Sequence, residues 1–256
     1  MRALVCAAWL AVTPVVAPCL EVWDRVVINE VFYYPMGPDA LNEYIELYNA
    51  GSWVAYLDGA VITDEGTDGM PEGVFRFPGS RGETNLPIAP GEYVLIAVDA
   101  VWGGIEPDLS NADWEFWHPG DGNDNPDVPN IVLCSGANAD MALANAGDGI
   151  LIATGQDTTA AIDCWTVVDG VNWGSVPDPV PISATVCNDP AFAPGCPQGN
   201  CICRCPGGLD SNVSSAADWF RGIPTPDEEN IVQFPVVCGA VPCGSAGWGV
   251  IKAMFR

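Results

Sequence analysis

The sequence predicts an all-β sandwich. Short segments rich in β-branched and aromatic residues alternate with turn residues, and the 28 glycines and 23 prolines are spread along the chain. Apolar residues recur with period two in these segments, and no window of helical length carries an apolar stripe with the 3.6-residue period. A chain of 256 residues that is 49% hydrophobic and 16% charged can bury a large core. We therefore expect two packed sheets built from many short strands.

The first two predicted strands carry the clearest pattern. Segment 26–33 is rich in β-branched and aromatic residues and ends at a Pro-Met-Gly-Pro turn. Segment 43–49 alternates strictly, with Tyr44, Glu46 and Tyr48 on one face and aliphatic residues on the other. Further strands are predicted over 54–63, 74–77, 93–98, 130–134, 149–154 and 160–168.

Two long segments lack this pattern and are interpreted as insertions in one domain. They cover residues 100–129 and 175–226, and both are longer than ordinary loops, which is typical of functional or covalently stapled excursions. The predicted sandwich domain spans 26–232, and residues 233–256 form a C-terminal tail.

The N-terminus is typical of an export signal. Arg2 precedes an apolar run that ends near residue 20, and Pro14 interrupts this run before it reaches the length of a membrane-spanning helix. We expect a signal peptide over about residues 1–19, no integral membrane span in the mature chain, and a secreted or cell-surface protein.

The charge balance excludes one class of partner. The chain has 33 acidic and 8 basic residues, a formal net charge of −25, and Lys252 as its sole lysine. Such a surface repels phosphate backbones because it offers no cationic face that could release counterions. We expect a protein or a cell-surface ligand as partner, and no nucleic acid.

Ten cysteines remain once the signal segment is cut after residue 17, an even number that favours disulfides in an exported chain. Nine are disulfide candidates: Cys134, Cys164, Cys187, Cys196, Cys201, Cys203, Cys205, Cys238 and Cys243. Their pairing cannot be read from the sequence. Zinc binding by the cluster 187–205 is the alternative, which is less favoured because the spacing lacks the C-x₂-C pairs of zinc fingers.

One acidic loop has oxygen ligands at alternate positions. Asp121, Asn123, Asn125 and Asp127 resemble the front half of a calcium-binding loop. A proline replaces the expected glycine and no glutamate stands at the twelfth position, so this is not an EF-hand. We predict calcium as a candidate ligand, with a solvated acidic turn as the alternative, and no other cofactor.

The sequence offers little for catalysis. His118 is the single histidine, and no Gly-x-Ser-x-Gly nucleophile turn occurs. With one histidine the usual two- or three-histidine zinc sites are unavailable. We therefore expect a protein that is not an enzyme. The alternative is a metal-dependent exported hydrolase, similar to phosphoesterases, that uses the acidic loops.

Several motifs together resemble the lamin tail domain in its bacterial, exported form. The matching blocks, in the order of the family, are Val27–Val31, Glu43–Asn49, Leu57–Asp64, Phe75–Pro78, Leu86–Ala97, Leu143–Ile152, Ala216–Trp219 and Thr225–Pro226. The resemblance implies an immunoglobulin-like β-sandwich with long loop insertions and no catalysis of its own. It also implies a binding or surface-attachment module.

Within these blocks we predict which side chains face the core. The expected inward residues are Ile28, Val31, Ile45, Leu47, Leu57, Val61, Val94 and Ile96, with Phe75 and Phe77 filling the centre. Two motif glutamates, Glu30 and Glu46, lie beside apolar strands. One interpretation is that the two glutamates form a carboxylate pair at a functional site. The other, which the sequence favours, is that they point outward or accept hydrogen bonds from loop amides.

Overall fold

The structure is a computed structural model of the chain. It describes residues 26–39, 41–64, 73–101, 103, 106–118, 122, 124–135, 141–154, 167–174, 192–205, 207–208, 210 and 218–232. The predicted signal peptide and C-terminal tail lie outside these residues, and both stay predictions.

The described residues form fifteen strands. In chain order they are β1 (Val26–Phe32), β2 (Tyr44–Asn49), β3 (Ala55–Tyr56), β4 (Ala60–Asp64), β5 (Val74–Arg76), β6 (Pro87–Ile88), β7 (Tyr93–Ala97), β8 (Trp114–Trp117), β9 (Asn130–Ser135), β10 (Gly147–Thr154), β11 (Val167–Gly174), β12 (Phe192–Ala193), β13 (Cys201–Arg204), β14 (Trp219–Ile223) and β15 (Ile231–Val232).

Thirteen strands join into one hydrogen-bonded sheet that folds back on itself. Its order is β12-β11-β10-β4-β5-β9-β8-β7-β2-β1-β13-β14-β15, and β3 pairs with β6 in a second, two-stranded sheet. The turn in the sheet runs through β8, which pairs in parallel with both β7 and β9. Strand β11 then lies against β1, where the Ile28 amide donates to Asp169 Oδ2 at 2.7 Å. The two halves of the sheet thus make the predicted immunoglobulin-like sandwich.

The main hydrophobic core lies between the two halves. The β1 and β2 side supplies Ile28 and Ile45, and the β10 and β11 side supplies Ile150 and Trp173, all at most 1% exposed. Phe75 and Phe77 lie in this core as predicted, where they make edge contacts with Phe116 and Trp114. Seven of the eight predicted inward residues belong to this core.

Val61 is the exception, because it packs in a separate cluster on the opposite face with Val74, Leu151 and Ala153. Its neighbours Ala60 and Ile62 face the main core instead. The predicted strand 54–63 is in fact two strands, β3 and β4, separated by a turn at Gly59 with φ of 67°. The turn explains why Val61 faces away from the main core. In one continuous strand, Leu57 and Val61 would lie on the same face.

The first predicted insertion covers the outer face of β7, β2 and β1. Phe32, Tyr44 and Leu95 on that face form a second buried cluster with Leu109 and Val128 from the covering segment. These central strands are therefore buried on both faces, which explains why all seven residues of β1 are buried. Both predicted insertions also contribute strands to the main sheet: β8 lies in the first, and β12, β13 and β14 lie in the second.

Candidate functional site

Two glutamates are buried on the outer face of the central strands. Glu30 on β1 and Glu46 on β2 are register partners, and both are fully buried. A register shift between Ile28 and Glu30 interrupts the alternation of β1, and both Asn29 and Glu30 bond to groups on the outer face. A β-bulge re-aims side chains in this way, and here it places two adjacent polar residues beneath the covering loops.

Glu30 accepts hydrogen bonds from Tyr44, from Thr225 and from the Cys201 thiol. The Tyr44 hydroxyl donates to Oε1, the Thr225 amide donates to the same oxygen at 2.9 Å, and Thr225 Oγ1 donates to Oε2 at 2.9 Å. Burial raises the pKa of Glu30, and the hydrogen bonds from Tyr44 and Thr225 oppose this rise. The carboxyl group therefore fixes the loop that follows β14.

Glu46 holds the next part of the same loop. Its Oε1 accepts from Asn29 Nδ2 at 2.8 Å, and its Oε2 accepts from the Asp227 amide at 2.7 Å. Asp227 has a φ of 61°, so its backbone lies in the left-handed region. Burial raises the pKa of Glu46 to about 8, with Asn29 opposing the rise and neighbouring Glu30 adding to it. The interpretation that both glutamates bind loop amides is confirmed.

Carboxylates fix loops elsewhere in the described residues as well. Backbone N–H groups donate at 2.5–3.1 Å to nine of them: Glu30, Glu46, Asp58, Glu92, Asp108, Asp113, Glu115, Asp148 and Asp169. An ionised carboxylate is acceptor-only and makes strong bonds to backbone amides. Part of the acidic excess therefore has a structural use that the sequence reasoning missed.

Arg204 on β13 is a buried cation on the inner side of the same strands. Its Nε donates to the Ile28 carbonyl at 2.8 Å, and one terminal nitrogen donates to both oxygens of Asp169 at 2.8 and 2.9 Å. Asp210 lies 3.4 Å from the other terminal nitrogen, and the guanidinium lies over the Trp219 ring at 4.7 Å from its centroid. The Arg204 guanidinium therefore joins β1, β11, β13 and β14, a contact that no sequence pattern predicts.

In the described half of the predicted calcium loop, Asn125 makes hydrogen bonds to other groups of the protein. Asn125 Nδ2 donates to the carbonyls of Ala100 at 2.8 Å and Ser110 at 3.3 Å, and its Oδ1 accepts the Asp127 amide at 3.1 Å. The Asn125 amide donates to Glu115 Oε1 at 2.8 Å. Asp121 and Asn123 lie outside the described residues, so the calcium site of Asp121, Asn123, Asn125 and Asp127 stays a prediction.

Five of the disulfide candidates are described residues. Cys134, Cys196, Cys201 and Cys203 carry free thiols, whereas the buried Cys205 is disulfide-bonded. The last two free thiols are completely buried on one face of β13. Successive residues of a strand face opposite sides, so Cys201 and Cys203 share a face that Ile202 does not. The candidates Cys164, Cys187, Cys238 and Cys243 lie outside the described residues.

One group of described residues could hold a metal. A carboxylate oxygen of Glu30 and the sulfur atoms of Cys201 and Cys203 all lie within 4.8 Å of one another. Sequence reasoning considered these two cysteines, but only as disulfides or zinc-finger thiolates. Glu30 stands more than 170 positions away, and only the pairing of β1 with β13 brings it to them. His118, which follows β8 directly, is half-buried and does not belong to this group.

A groove opens beside this face of the sheet. It encloses about 450 Å³, and its apolar side chains are Phe32, Met36, Pro107, Ile223, Pro224 and Pro226. Met36 is 65% exposed and Ile223 is 49% exposed. The exposed glutamates Glu106 and Glu228 also line the groove. Thr225 lines the groove and also bonds Glu30, so the groove and the buried glutamate share one loop.

These features define a class of protein, an immunoglobulin-like β-sandwich whose loops are fixed by buried carboxylates. The chain belongs to the lamin tail domain family, because the family model "Lamin Tail Domain" matches residues 23–174. That family consists of non-enzymatic immunoglobulin-like modules. The match ends with β11, whereas the structure continues into β13 and β14, which complete the sheet beside β1.

Among solved structures, the chain is similar to a DUF4876 family protein from Bacteroides thetaiotaomicron VPI-5482. The TM-score is 0.61 at 17% sequence identity, and the similarity covers 79% of this chain and 72% of that chain. At this identity the likeness supports the fold alone. No curated protein matches the sequence. Within the described part of the chain, no helix is long and apolar enough to cross a membrane.

Proposed function

We propose that this chain is an exported, non-catalytic binding module whose groove takes a cationic, extended peptide segment of a partner protein. The observation that carries the proposal is the groove itself, which is lined by exposed Met36 and Ile223 together with the exposed glutamates Glu106 and Glu228. Membership in a family of non-enzymatic modules supports the absence of catalysis.

The apolar part of the groove favours an aliphatic or proline-containing ligand. Exposed apolar patches on a soluble protein commonly mark interaction sites, and a methionine side chain adapts its shape to what it contacts. Pro107, Pro224 and Pro226 offer no backbone N–H groups, so contact with the wall around them is largely apolar.

The charge of the groove favours a basic ligand. Glu106 and Glu228 are exposed, and the chain around them carries a formal net charge of −25. Complementary charge at the edge of an interface raises the association rate and excludes like-charged partners. A peptide whose aliphatic residues enter the groove and whose lysines face these carboxylates meets both requirements.

The test is a titration of the purified full chain with two labelled peptides, one with alternating lysine, proline and leucine and one with glutamate in place of lysine. We expect saturable binding of the basic peptide only. Ile223→Ser and the double variant Glu106→Lys/Glu228→Lys should each weaken binding by about tenfold or more, since each removes one kind of contact.

Matched controls separate the groove from the general acidity of the surface. Glu83→Lys changes an exposed carboxylate elsewhere, and Trp53→Ser changes an apolar side chain that is 74% exposed outside the groove. Both controls should bind the basic peptide nearly as well as the unaltered chain. Equal weakening by Glu83→Lys and by the groove variants would show nonspecific attraction and contradict the proposal.

A further inference from the structure

We propose that Glu30, Cys201 and Cys203 form a buried site for one thiophilic divalent cation, and that Zn²⁺ is the ion that fits it. The carboxylate oxygen and the two sulfur atoms lie within 4.8 Å of one another, and all three residues are completely buried. Thiolates with a carboxylate form a donor set that zinc accepts.

Strand geometry places the three ligands. Cys201 and Cys203 are two residues apart on β13, so their side chains leave the same face of the sheet. Glu30 is the register partner of Cys203 on the neighbouring strand β1. Cross-strand partners have Cβ atoms only about 5 Å apart, so the carboxylate reaches the two sulfurs without any change in the backbone.

The strand on the other side of β13 leaves room for the sulfur atoms. Gly222 on β14 is the register partner of Cys201. A Cβ atom at this position would lie 2.5 Å from Cys203 Sγ and 3.0 Å from Cys201 Sγ. Because Gly222 has no side chain, the two thiols have room on this face. This is an observation about the site that does not depend on the ligand residues themselves.

The carboxylate is oriented by neighbours that are not ligands. Tyr44 and Thr225 together occupy three acceptor positions of Glu30, and a carboxylate offers about four. The Cys201 thiol also donates a hydrogen bond to Glu30, and a cation that displaces this thiol proton takes its place beside the carboxylate. Hydrogen bonds from outer groups commonly fix the orientation of metal-binding side chains.

Zinc binding at this site releases protons and involves no oxidation or reduction. Each S–H bond breaks with its electron pair kept on sulfur, two thiolate–zinc bonds form, and two protons pass to solvent. A proton held by Glu30 leaves as well when that oxygen binds. Burial raises the pKa of both Glu30 and Cys201, and neighbouring Cys203 and Glu30 raise that of Cys201 further. A metal ligand must be deprotonated, so a bound cation displaces the thiol protons.

The test is a titration of the reduced, chelator-treated full chain with Co²⁺, which reports thiolate ligands through its charge-transfer absorption. We expect one ion per chain to give this absorption together with the visible bands of tetrahedral cobalt, and Zn²⁺ to displace it. Cys201→Ser and Cys203→Ser should each abolish the charge-transfer band at matched cobalt concentration or weaken it several-fold.

Controls distinguish this site from metal binding by other cysteines. Cys134→Ser alters an exposed free thiol and Cys196→Ser a half-buried one, and both variants should retain the full signal. Zn²⁺ should also raise the melting temperature of the unaltered chain and of Cys134→Ser, but not that of Cys201→Ser. The proposal is overturned if the band survives in both Cys201→Ser and Cys203→Ser, if no band forms, or if the isolated protein carries a Cys201–Cys203 disulfide.

Discussion

Burial raises the pKa of two glutamates in this protein and so favours their protonated form. Glu46 has a pKa raised to about 8, chiefly by burial, and Glu43 one raised to about 9 by burial and by nearby Asp39. Both values lie above the 4.5 of an unperturbed glutamate. The folded state therefore binds more protons than the unfolded state between these limits, so each group favours folding at low pH and loses that contribution as the pH rises through its folded pKa.

We expect the free energy of unfolding to fall as the pH rises from about 5 to about 9, by on the order of a few kcal/mol in total. Glu46→Gln cannot ionise, so the fall should be smaller in this variant, although its stability at low pH also changes because an amide offers one acceptor fewer. Urea unfolding at a series of pH values measures both effects. Glu83→Gln alters an exposed glutamate and should show the same fall as the unaltered chain. An unchanged fall in Glu46→Gln would contradict the assignment.

At the scale of structural elements, the segment between β7 and β9 acts as a cover for the outer face of the sheet. Leu109 and Val128 in this segment pack on Phe32 and Leu95. Asn125 Nδ2 joins the segment to itself through the carbonyls of Ala100 and Ser110. The Asn125 side chain therefore adds three hydrogen bonds within the cover to the apolar packing that holds it.

Replacing that side chain should loosen the cover. In Asn125→Ala the carbonyls of Ala100 and Ser110 lose a donor and the Asp127 amide loses its acceptor, which should cost about 1–3 kcal/mol. Hydrogen exchange should accelerate at Asp127 and Val128 while β10 stays protected. Asn111→Ala, at an exposed position in the same segment, is the matched control. Equal protection of the cover in both variants would show that apolar packing alone holds it.

The same elements show where prediction from sequence succeeds and where it ends. Alternation gave β2 and the two faces of its side chains, because neighbouring residues decide the direction of a side chain. It could not show that the Tyr44 face is buried, because the covering segment lies more than 50 positions away. Strand β8 is only four residues long, and β14 contains Gly222, so neither has enough period-two pattern to be recognised.

The functional groups were harder to predict for the same reason. The fold itself was predictable, since its motifs occur in order along the chain. The cysteines of β13 were assigned to disulfides from composition, which carries no information about the strand beside them. Asp169, the partner of Arg204, lies in β11, where a glycine and an asparagine interrupt the apolar pattern that we extended only to residue 168.

At the scale of the whole molecule, the acidic excess opposes compaction. A formal net charge of −25 on the whole chain produces self-repulsion, and the carboxylates that bind backbone amides cannot move apart to relieve it. Mobile ions screen such repulsion over about 10 Å at 0.1 M salt and over shorter distances at higher concentrations.

We expect the melting temperature to rise by several degrees between about 0.02 M and about 0.5 M sodium chloride, because screening relieves repulsion more in the compact state than in the expanded one. Thermal melts at fixed pH measure this rise, and choline chloride should reproduce it if screening is the cause. A melting temperature that falls with salt would mean that the attractive ion pairs around Arg204 outweigh the repulsion.

Calcium chloride at matched ionic strength tests the predicted cation loop separately. Stabilisation beyond that of sodium chloride, abolished by Asp121→Ala, would support a calcium site at Asp121, Asn123, Asn125 and Asp127. Equal melting temperatures in the two salts would contradict the predicted calcium site.

The position of β1 at the middle of the sheet has a consequence for how the chain reaches its native state. Strand β1 precedes the other described strands along the chain, yet one of its two neighbours, β13, begins only at residue 201. Until then the β1 backbone presents an open edge, and Glu30 lacks the amide that Thr225 later donates. Such distant pairings slow folding and leave strand edges open to other chains. A ribosome-bound or truncated chain that stops before β13 should therefore be the most aggregation-prone form of this protein.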